Sequence, residues 1–512
     1  MRSPAMPGCS LSVRMSVTLR IFAGFCENFP GRDSGLGGED VPMTTTEHYD
    51  VLVIGSGEAG KYLAWTLSKD GHRTALVERR MVGGSCPNVA CLPSKNIIHS
   101  AKVASFAARA AAFGIRADTV GVEMPSVQQR KRAMVEDLVR VHLARYQASG
   151  VHLIMGAARF VAPRTVTIAL RDGGTRTVAG ERVILSVGTR AAIPGVPGLR
   201  EARPMTHVEA LDLERVPDHL VVVGGGYVGL ELAQAARRFG SQVTVIERGE
   251  QLARREDPDV AAALLELFRH ENIDVLLNAV VRDVEGHSGE HVRLRVETPN
   301  GLHVIEATDV LVAAGRTPNT NDIGLELAGI ELDARGYIVV NDRLETTAHG
   351  VWAVGDCAGS PQFTHAAFDD FRVVHDTLKG GSRTTRDRLV PFCMFTDPEL
   401  ARVGVNESEA RARGIDYRLA TMPMSAVLRT RTLSEPRGFM KMLIDTGSDR
   451  ILGFTVFGAE ASELMATVQT AMLGQLPFTV LRDALFTHPT AAEGLTVLLA
   501  NVATATGSAG QA

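Results

Sequence analysis

An α/β chain with two dinucleotide-binding units of the Rossmann type, closed by an α+β C-terminal domain, is predicted by three observations. At 512 residues the chain is too long for one hydrophobic core and divides into about three domains. One unit of strand, glycine loop, helix and strand occurs twice with the same internal spacing. From about Val390 that unit is absent, and apolar stretches of strand length with helical stretches between them replace it.

The first copy opens at Tyr49 as YDVLVIGSGEAGKYLAWTLSKDGHRTALVER. Its apolar strand Val51–Ile54 runs into Gly55-x-Gly57-x-x-Gly60, a helix follows, and strand Thr74–Val77 ends on Glu78. The second copy opens at His219 as HLVVVGGGYVGLELAQAARRFGSQVTVIER. It has strand Leu220–Val223, Gly224-x-Gly226-x-x-Gly229, a helix, and strand Gln242–Ile246 ending on Glu247. Each copy advances 23 residues from first glycine to terminal acid. In such a loop the first glycine permits the tight turn, the second lets a pyrophosphate approach the backbone, and the third lets helix and strand pack closely. The helix N-terminus offers free N–H groups and a partial positive charge to that pyrophosphate. The terminal acid can take the ribose hydroxyls of an adenosine. One GxGxxG alone is weak, because glycine-rich turns occur in many loops. Two, each in its full strand–helix–strand setting, predict two dinucleotides, most simply a flavin and a nicotinamide.

The first domain is expected to be interrupted by the second. Its chain resumes at TTAHGVWAVGD, where a strand ending on Gly355-Asp356 presents an acid at the carboxyl edge of a parallel sheet. ERVILSVGTR, with Gly188 near its end, and DVLVAAGRTPN, ending at Asn319, read as the crossings between the two domains. The expected boundaries are 48–193 and 319–388 for the flavin-binding domain, 194–318 for the nicotinamide-binding domain and 389–503 for the third. In the third, FCMFTDPELARVGV, GFMKMLID and RILGFTVFG read as strands, Glu460–Leu473 and Thr496–Ala503 as amphipathic helices, and the whole as a dimerisation surface. Residues 1–47 read as a disordered extension or an over-extended start, since the weak targeting pattern around Arg14 and Arg20 lacks a small-residue cleavage site. Residues 504–512 read as a loose polar tail.

Composition narrows the partners. Hydrophobic residues make up 45%, charged residues 22%, and the net charge is -4, with no basic excess to suggest nucleic acid. No apolar run approaches the ~18–20 residues needed to cross a bilayer. Six cysteines are too few for a secreted disulfide scaffold. Cys9, Cys26, Cys357 and Cys393 stand alone and read as small buried or incidental thiols. Cys86 and Cys91 form a close pair inside GGSCPNVACLPSK.

That pair has three readings: a staple, a metal clip or a reagent. At this separation two cysteines cannot bridge inside a regular helix, because their Cα atoms lie beyond the ~7 Å limit for a disulfide. They can bridge where a loop winds into a helix; Gly83-Gly84 supplies the loop, and a helix is expected to be established by Ser94. A thiol at a helix N-terminus has its thiolate stabilised and is reactive near neutral pH. A zinc clip wants CxxC spacing and a second pair of ligands, which the sequence lacks. A staple would close a trivially short loop. Beside a flavin site, redox catalysis is the stronger reading.

Together with His488-Pro489-Thr490-x-x-Glu493, these motifs resemble the pyridine nucleotide–disulfide oxidoreductases, the family of dihydrolipoamide dehydrogenase, glutathione reductase and mercuric reductase. The resemblance runs from Tyr49 to about Asn501. It implies FAD in the first unit, NAD(P) in the second, and a homodimer with a shared active site. It implies that Cys91 faces the flavin and Cys86 exchanges with substrate. Lys95 would sit near flavin N5 with Glu231 as its partner, although two unconnected surface charges is the plain alternative. His488 and Glu493 match the acid–base dyad that the family supplies across the subunit interface. An imidazole titrating near neutral pH can take a proton from one substrate thiol and return it to another. A carboxylate on its far nitrogen fixes the tautomer. Carried over residue by residue, the flavin site comprises Gly55, Gly57, Ala59, Gly60, Glu78, Arg79, Gly84, Ser85, Lys95, Ala158, Gly188, Gly355, Asp356 and Thr364. The nicotinamide site comprises Gly224, Gly226, Tyr227, Val228, Gly229, Glu247 and Gly315. Tyr227 stands where the family has an aromatic lid, with helix packing as its plain alternative. His365 lacks such support and reads as structural.

There are departures from the family pattern. Ala90 stands where a glycine commonly precedes the second cysteine, and Pro87 follows the first. Mercuric reductases carry a C-terminal cysteine pair and usually a tyrosine where His488 stands; here no cysteine follows Cys393. Yet ELAQAARRF and REDPDV look like the mercuric reductase branch. Glu247 would repel the 2′-phosphate of NADP, so NAD is expected; Arg248, Arg254 and Arg255 could offset that repulsion and leave NADP open. The expected protein is a cytoplasmic, FAD-dependent homodimer moving electrons between NAD(P)H and a small disulfide, dithiol or lipoyl-bearing substrate. It needs no metal, nucleic acid or membrane span. The same-scaffold alternative is reduction of a mercuric or copper ion or a quinone. A different class of reading is a flavin-binding subunit without significant turnover.

Overall fold

Strand Glu47–Ile54 pairs in parallel with Thr74–Glu78 on one side and with Thr175–Leu185 on the other. Thr74–Glu78 pairs in parallel with the start of His152–Ala162, and the end of Thr175–Leu185 pairs in parallel with Val351–Ala353. In chain order the parallel core therefore runs third, second, first, fourth, fifth, and its topological switch point lies beyond Ile54 and Leu185. Val51, Leu52, Val53, Leu76, Val183, Ile184 and Leu185 are fully buried, as expected for parallel strands covered on both faces. Each such side chain contributes roughly 1.5–3 kcal/mol by leaving water. The computed structural model describes residues 45–117 and 119–503; the readings of the N-terminal segment through residue 44, of Cys9 and Cys26, and of the tail 504–512 lie outside them.

The duplication extends beyond the glycine loops. In the second unit, strands Asp274–Leu276, Gln242–Ile246, His219–Val223 and Asp309–Val312 lie side by side in parallel, again in the order third, second, first, fourth. Each unit also carries a three-stranded antiparallel meander between its third and fourth positions. In the first unit, Thr165–Leu170 pairs with the outer halves of its two long neighbours. In the second, Val280–His287, His291–Thr298 and Gly301–Ala307 form a separate sheet. The two segments expected as crossings pair with each other: Thr189–Ala191 runs antiparallel to Arg316–Pro318.

The C-terminal part is an antiparallel five-stranded sheet in the order Phe392–Met394, Glu399–Gly404, Ile451–Gly458, Phe439–Asp445, Tyr417–Pro423. Helix Ala461–Leu473 packs on it through Leu464, Met465 and Val468. The helix expected over Thr496–Ala503 forms instead at Gly494–Leu499. The cause is burial: Leu495, Leu498 and Leu499 join the core, so the helix begins where its apolar stripe begins. Among the described residues no helix is long and apolar enough to cross a membrane.

Candidate functional site

The two glycine loops are built alike, down to single hydrogen bonds. A Cβ on Gly55 would lie 2.3 Å from the Ser186 carbonyl oxygen, and one on Gly224 would lie 2.5 Å from that of Ala313. A Cβ on Gly60 would meet the Gly55 oxygen at 2.4 Å, and one on Gly229 the Gly224 oxygen at 2.2 Å. These four positions exclude any side chain. Gly226, by contrast, faces open space. Helices Glu58–Lys69 and Tyr227–Phe239 start at Gly57 and Gly226 without a side-chain cap, which leaves their first N–H groups to an anion. Open glycine backbone at uncapped helix ends fits the pyrophosphates of FAD and of a nicotinamide dinucleotide.

The terminal acids are bound into the loops. Glu78 accepts from Ser56 N at 2.9 Å and Arg80 N at 2.7 Å; Glu247 accepts from Gly225 N at 2.8 Å and Gly249 N at 2.7 Å. In each copy one oxygen holds the residue between the first two glycines and the other holds the amide two residues on. Each acid thus fixes its glycine loop before it meets any ribose. Ser56 extends this: its hydroxyl donates to Glu78 at 2.6 Å and accepts from Gly83 N at 2.9 Å. That chain ties the first glycine loop to the cysteine loop.

Cys86 lies in the short helix Ser85–Val89, and Ala90 (φ −135°, ψ −107°) breaks the helical path. A second helix, Cys91–Ala108, then starts at Cys91, so that a helix is established by Ser94 as expected. Pro93 sits in its first turn, where a missing N–H leaves no intrahelical bond unmade. Cys91 therefore stands at a helix N-terminus. Both thiols are unbonded and partly buried. Cys91 Sγ lies 3.3 Å from Thr364 Oγ1. The Cys86 thiol lowers the Cys91 thiol to about 6 by hydrogen bonding to its thiolate, with help from Thr364 and Lys95 and against burial. Cys86 is pushed far up by that same bond and by burial. In the reduced pair Cys91 is the thiolate and Cys86 the protonated thiol.

Lys95, one turn into that helix, reaches Glu231 Oε2 at 2.6 Å. Glu231 is buried, and its Oε1 accepts from Phe395 N at 2.8 Å. The Lys95 ammonium also lies 4.8 Å from the Phe395 ring centre. The reading of two unconnected surface charges is thereby set aside. Tyr227, at the first turn of the second glycine-loop helix, donates its hydroxyl to Glu256 Oε1 at 2.6 Å. Asp356 accepts from Thr189 Oγ1 at 2.5 Å.

His488 is 65% exposed, and its Nδ1 lies 2.8 Å from Glu493 Oε2. This dyad belongs to the C-terminal part, apart from the cysteines, and presents its imidazole outward. In the same C-terminal part Leu473, Leu476, Val480, Leu485 and Val497 are also exposed. His365 stacks on Phe363 and bonds the Pro391 carbonyl at 3.0 Å, in keeping with a structural role.

Three groups of residues were not singled out from sequence. Buried Lys61 pairs with Glu58 at 2.6 Å and approaches His142 Nε2 at 3.4 Å. His142 lies against Gly83, where a Cβ would come within 2.6 Å of its Nδ1, and burial lowers its pKa to about 4. Ser56 and the pair Glu256–Arg402 complete the set. The only signal for Lys61 was an unusual one, a lysine directly after the third glycine of a loop that packs against a strand.

Residues 49–370 match the family model described as pyridine nucleotide-disulphide oxidoreductase, and residues 390–498 match that family's dimerisation domain. The chain is 35% identical over 460 residues to a probable pyridine nucleotide-disulfide oxidoreductase, RclA, of Escherichia coli, covering 89% of this chain and 99% of that protein. It is 35% identical to the mercuric reductase of Acidithiobacillus ferrooxidans, covering 87% and 81% of the two chains. It is 31% identical to the mitochondrial dihydrolipoyl dehydrogenase 1 of Arabidopsis thaliana, covering 88% and 89%. Among solved structures, a Cu(II) complex of the HOCl-induced flavoprotein disulfide reductase RclA superimposes with a TM-score of 0.81 at 33% identity, covering 90% of this chain and all of that one.

Proposed function

The chain belongs to the pyridine nucleotide-disulphide oxidoreductase family, and from that premise we propose that it moves electrons between NAD(P)H and a small disulfide or dithiol as a homodimer with a shared active site. It is a flavin- and NAD(P)H-dependent oxidoreductase. We assign the flavin to 48–193 with 319–388, the nicotinamide to 194–318, and the subunit interface to 389–503. Bound FAD supplies the two-electron exchange between nicotinamide hydride and a disulfide. The protein's own residues do the rest.

Cys91, held as a thiolate at a helix N-terminus, takes the flavin side. Cys86, the protonated partner, exchanges with substrate: it gives its proton to His488 of the partner subunit, the thiolate so formed attacks one sulfur of the substrate disulfide and displaces the first substrate thiolate, and the Cys91 thiolate then attacks the Cys86 sulfur, closing the disulfide and displacing the second. Each closure of Cys86–Cys91 releases two electrons to substrate. The leaving substrate thiolate takes back, from His488 of the partner subunit, the proton that Cys86 gave up. Glu493 on Nδ1 leaves Nε2 as the nitrogen that carries that proton. Lys95, anchored by Glu231, holds positive charge beside Cys91. The exposed apolar residues of the C-terminal part suit burial against a second copy. Lone thiols at Cys357 and Cys393 suit a reducing compartment such as the cytoplasm.

The His488–Glu493 hydrogen bond carries this reading, because a metal ion accepting electrons from Cys86 and Cys91 would need no such acid–base pair. A second reading is favoured by the likeness to a protein solved as a Cu(II) complex. There, closing one Cys86–Cys91 disulfide would reduce two Cu(II) ions to Cu(I). A panel of lipoamide, glutathione disulfide, Hg(II), Cu(II) and quinone, run with NADH and NADPH, separates the two. Disulfide turnover that exceeds metal turnover and falls in His488→Gln supports the first reading. Cu(II) turnover insensitive to His488→Gln, with no disulfide turnover, supports the second.

A further inference from the structure

Behind Tyr227 lies a buried ion cluster that the reaction as described leaves unused. Glu256, which accepts the Tyr227 hydroxyl at 2.6 Å, is 3% exposed, and Arg402 beside it is 2% exposed. Arg402 Nε approaches Glu256 Oε2 to 3.1 Å, yet neither atom completes an aligned hydrogen bond. Arg402 Nη1 is engaged elsewhere, on Glu409 at 3.0 Å. One carboxylate oxygen is thus spent on Tyr227, while the other faces a charged donor it does not use. A buried donor and acceptor left in this state are costly.

The backbone around this cluster is pinned on two sides. Ala253 N donates to the Gly225 carbonyl at 2.9 Å, which ties the loop to the second glycine turn. Toward the C-terminal sheet, Asn406 Nδ2 donates to the Arg255 carbonyl at 2.9 Å, and fully buried Lys441 lies 2.7 Å from Asp257. Arg402 itself is on strand Glu399–Gly404. With the backbone held, the Tyr227 ring and the Glu256 carboxylate are the parts able to move.

We propose that Glu256 is a positioning residue that latches Tyr227 across the nicotinamide pocket, and that Arg402 takes over the carboxylate when an arriving NAD(P)H ring displaces the tyrosine. The proposal rests on the reading of Tyr227 as the lid of that pocket. Arg402 makes the open state affordable, and the latched state lowers the fraction of enzyme ready to bind, which weakens apparent affinity by that fraction.

The test is anaerobic stopped-flow reduction of the holoenzyme by NADH and NADPH. Tyr227→Phe keeps the ring and removes the latch; the nicotinamide concentration at half-saturation is expected to fall about ten-fold. Adding Glu256→Gln to Tyr227→Phe is expected to change nothing further, since the bond is already gone. An unchanged half-saturation in Tyr227→Phe, or an additive effect in the double variant, overturns the latch. Tyr227→Ala separates the two layers of the argument. If it alters half-saturation while Tyr227→Phe does not, the lid stands and the latch falls. If Tyr227→Ala alters neither half-saturation nor rate, the lid reading falls and takes the latch with it.

Discussion

Lys95 Nζ stands 2.6 Å from Glu231 Oε2, joining the helix that begins at Cys91 to the helix that begins at the second glycine loop. The cation beside the thiolate is therefore held from the nicotinamide-binding unit. Lys95 is one of the groups that lower the Cys91 thiol. Lys95→Met should raise the Cys91 pKa above its value of about 6. The pH profile of iodoacetamide alkylation of the reduced enzyme checks this; a midpoint unmoved in Lys95→Met would remove the lysine from the account.

His488→Gln should cost about 100-fold or more in turnover of a disulfide substrate, the usual worth of a positioned acid–base group. NADH-to-dye transfer, which bypasses the dyad, should stay within about three-fold. Equal losses in both assays would sink the assignment.

The glycine contacts set a steric prediction. A Cβ at Gly60 meets the Gly55 oxygen at 2.4 Å, and one at Gly229 meets the Gly224 oxygen at 2.2 Å, both backbone atoms that cannot swing aside. Gly60→Ala should lower stability by roughly 1–3 kcal/mol and release FAD on gel filtration. Gly229→Ala should leave FAD bound and weaken the nicotinamide nucleotide instead. Loss of FAD from both variants alike would contradict the division of the two sites.

His142, held at a pKa of about 4 by burial and by the Lys61 charge, carries a pH prediction. Its folded pKa lies below the unfolded value of about 6.5, so the unfolded chain binds the extra proton first. Stability should fall as pH drops from about 6.5 toward 4. His142→Gln should flatten that part of the profile of urea midpoints against pH. A slope unchanged in the variant would show that other groups cause it.

Much of this was legible before any coordinates. Gly55, Gly60, Gly224 and Gly229 are fixed by backbone contacts so close that no other residue fits, and such positions leave a plain trace in sequence. The Cys86–Cys91 spacing is likewise set by local chain geometry. What sequence could not show were partners joined by the fold rather than by spacing. Glu78 and Glu247 read as ribose ligands, and nothing in their spacing reveals that Glu78 already accepts three backbone amides and Glu247 two. Glu256 and Arg402 lie on different structural units, so neither predicts the other.

The central claim is that Cys86 and Cys91 form a redox disulfide in series with the flavin. Anaerobic titration of the holoenzyme with dithionite, counted per bound FAD, tests it most directly. The account predicts uptake of about four electrons, two for the flavin and two for the disulfide, falling to about two in Cys91→Ser. Uptake of about two in the unaltered enzyme, with no difference in Cys91→Ser, would contradict it.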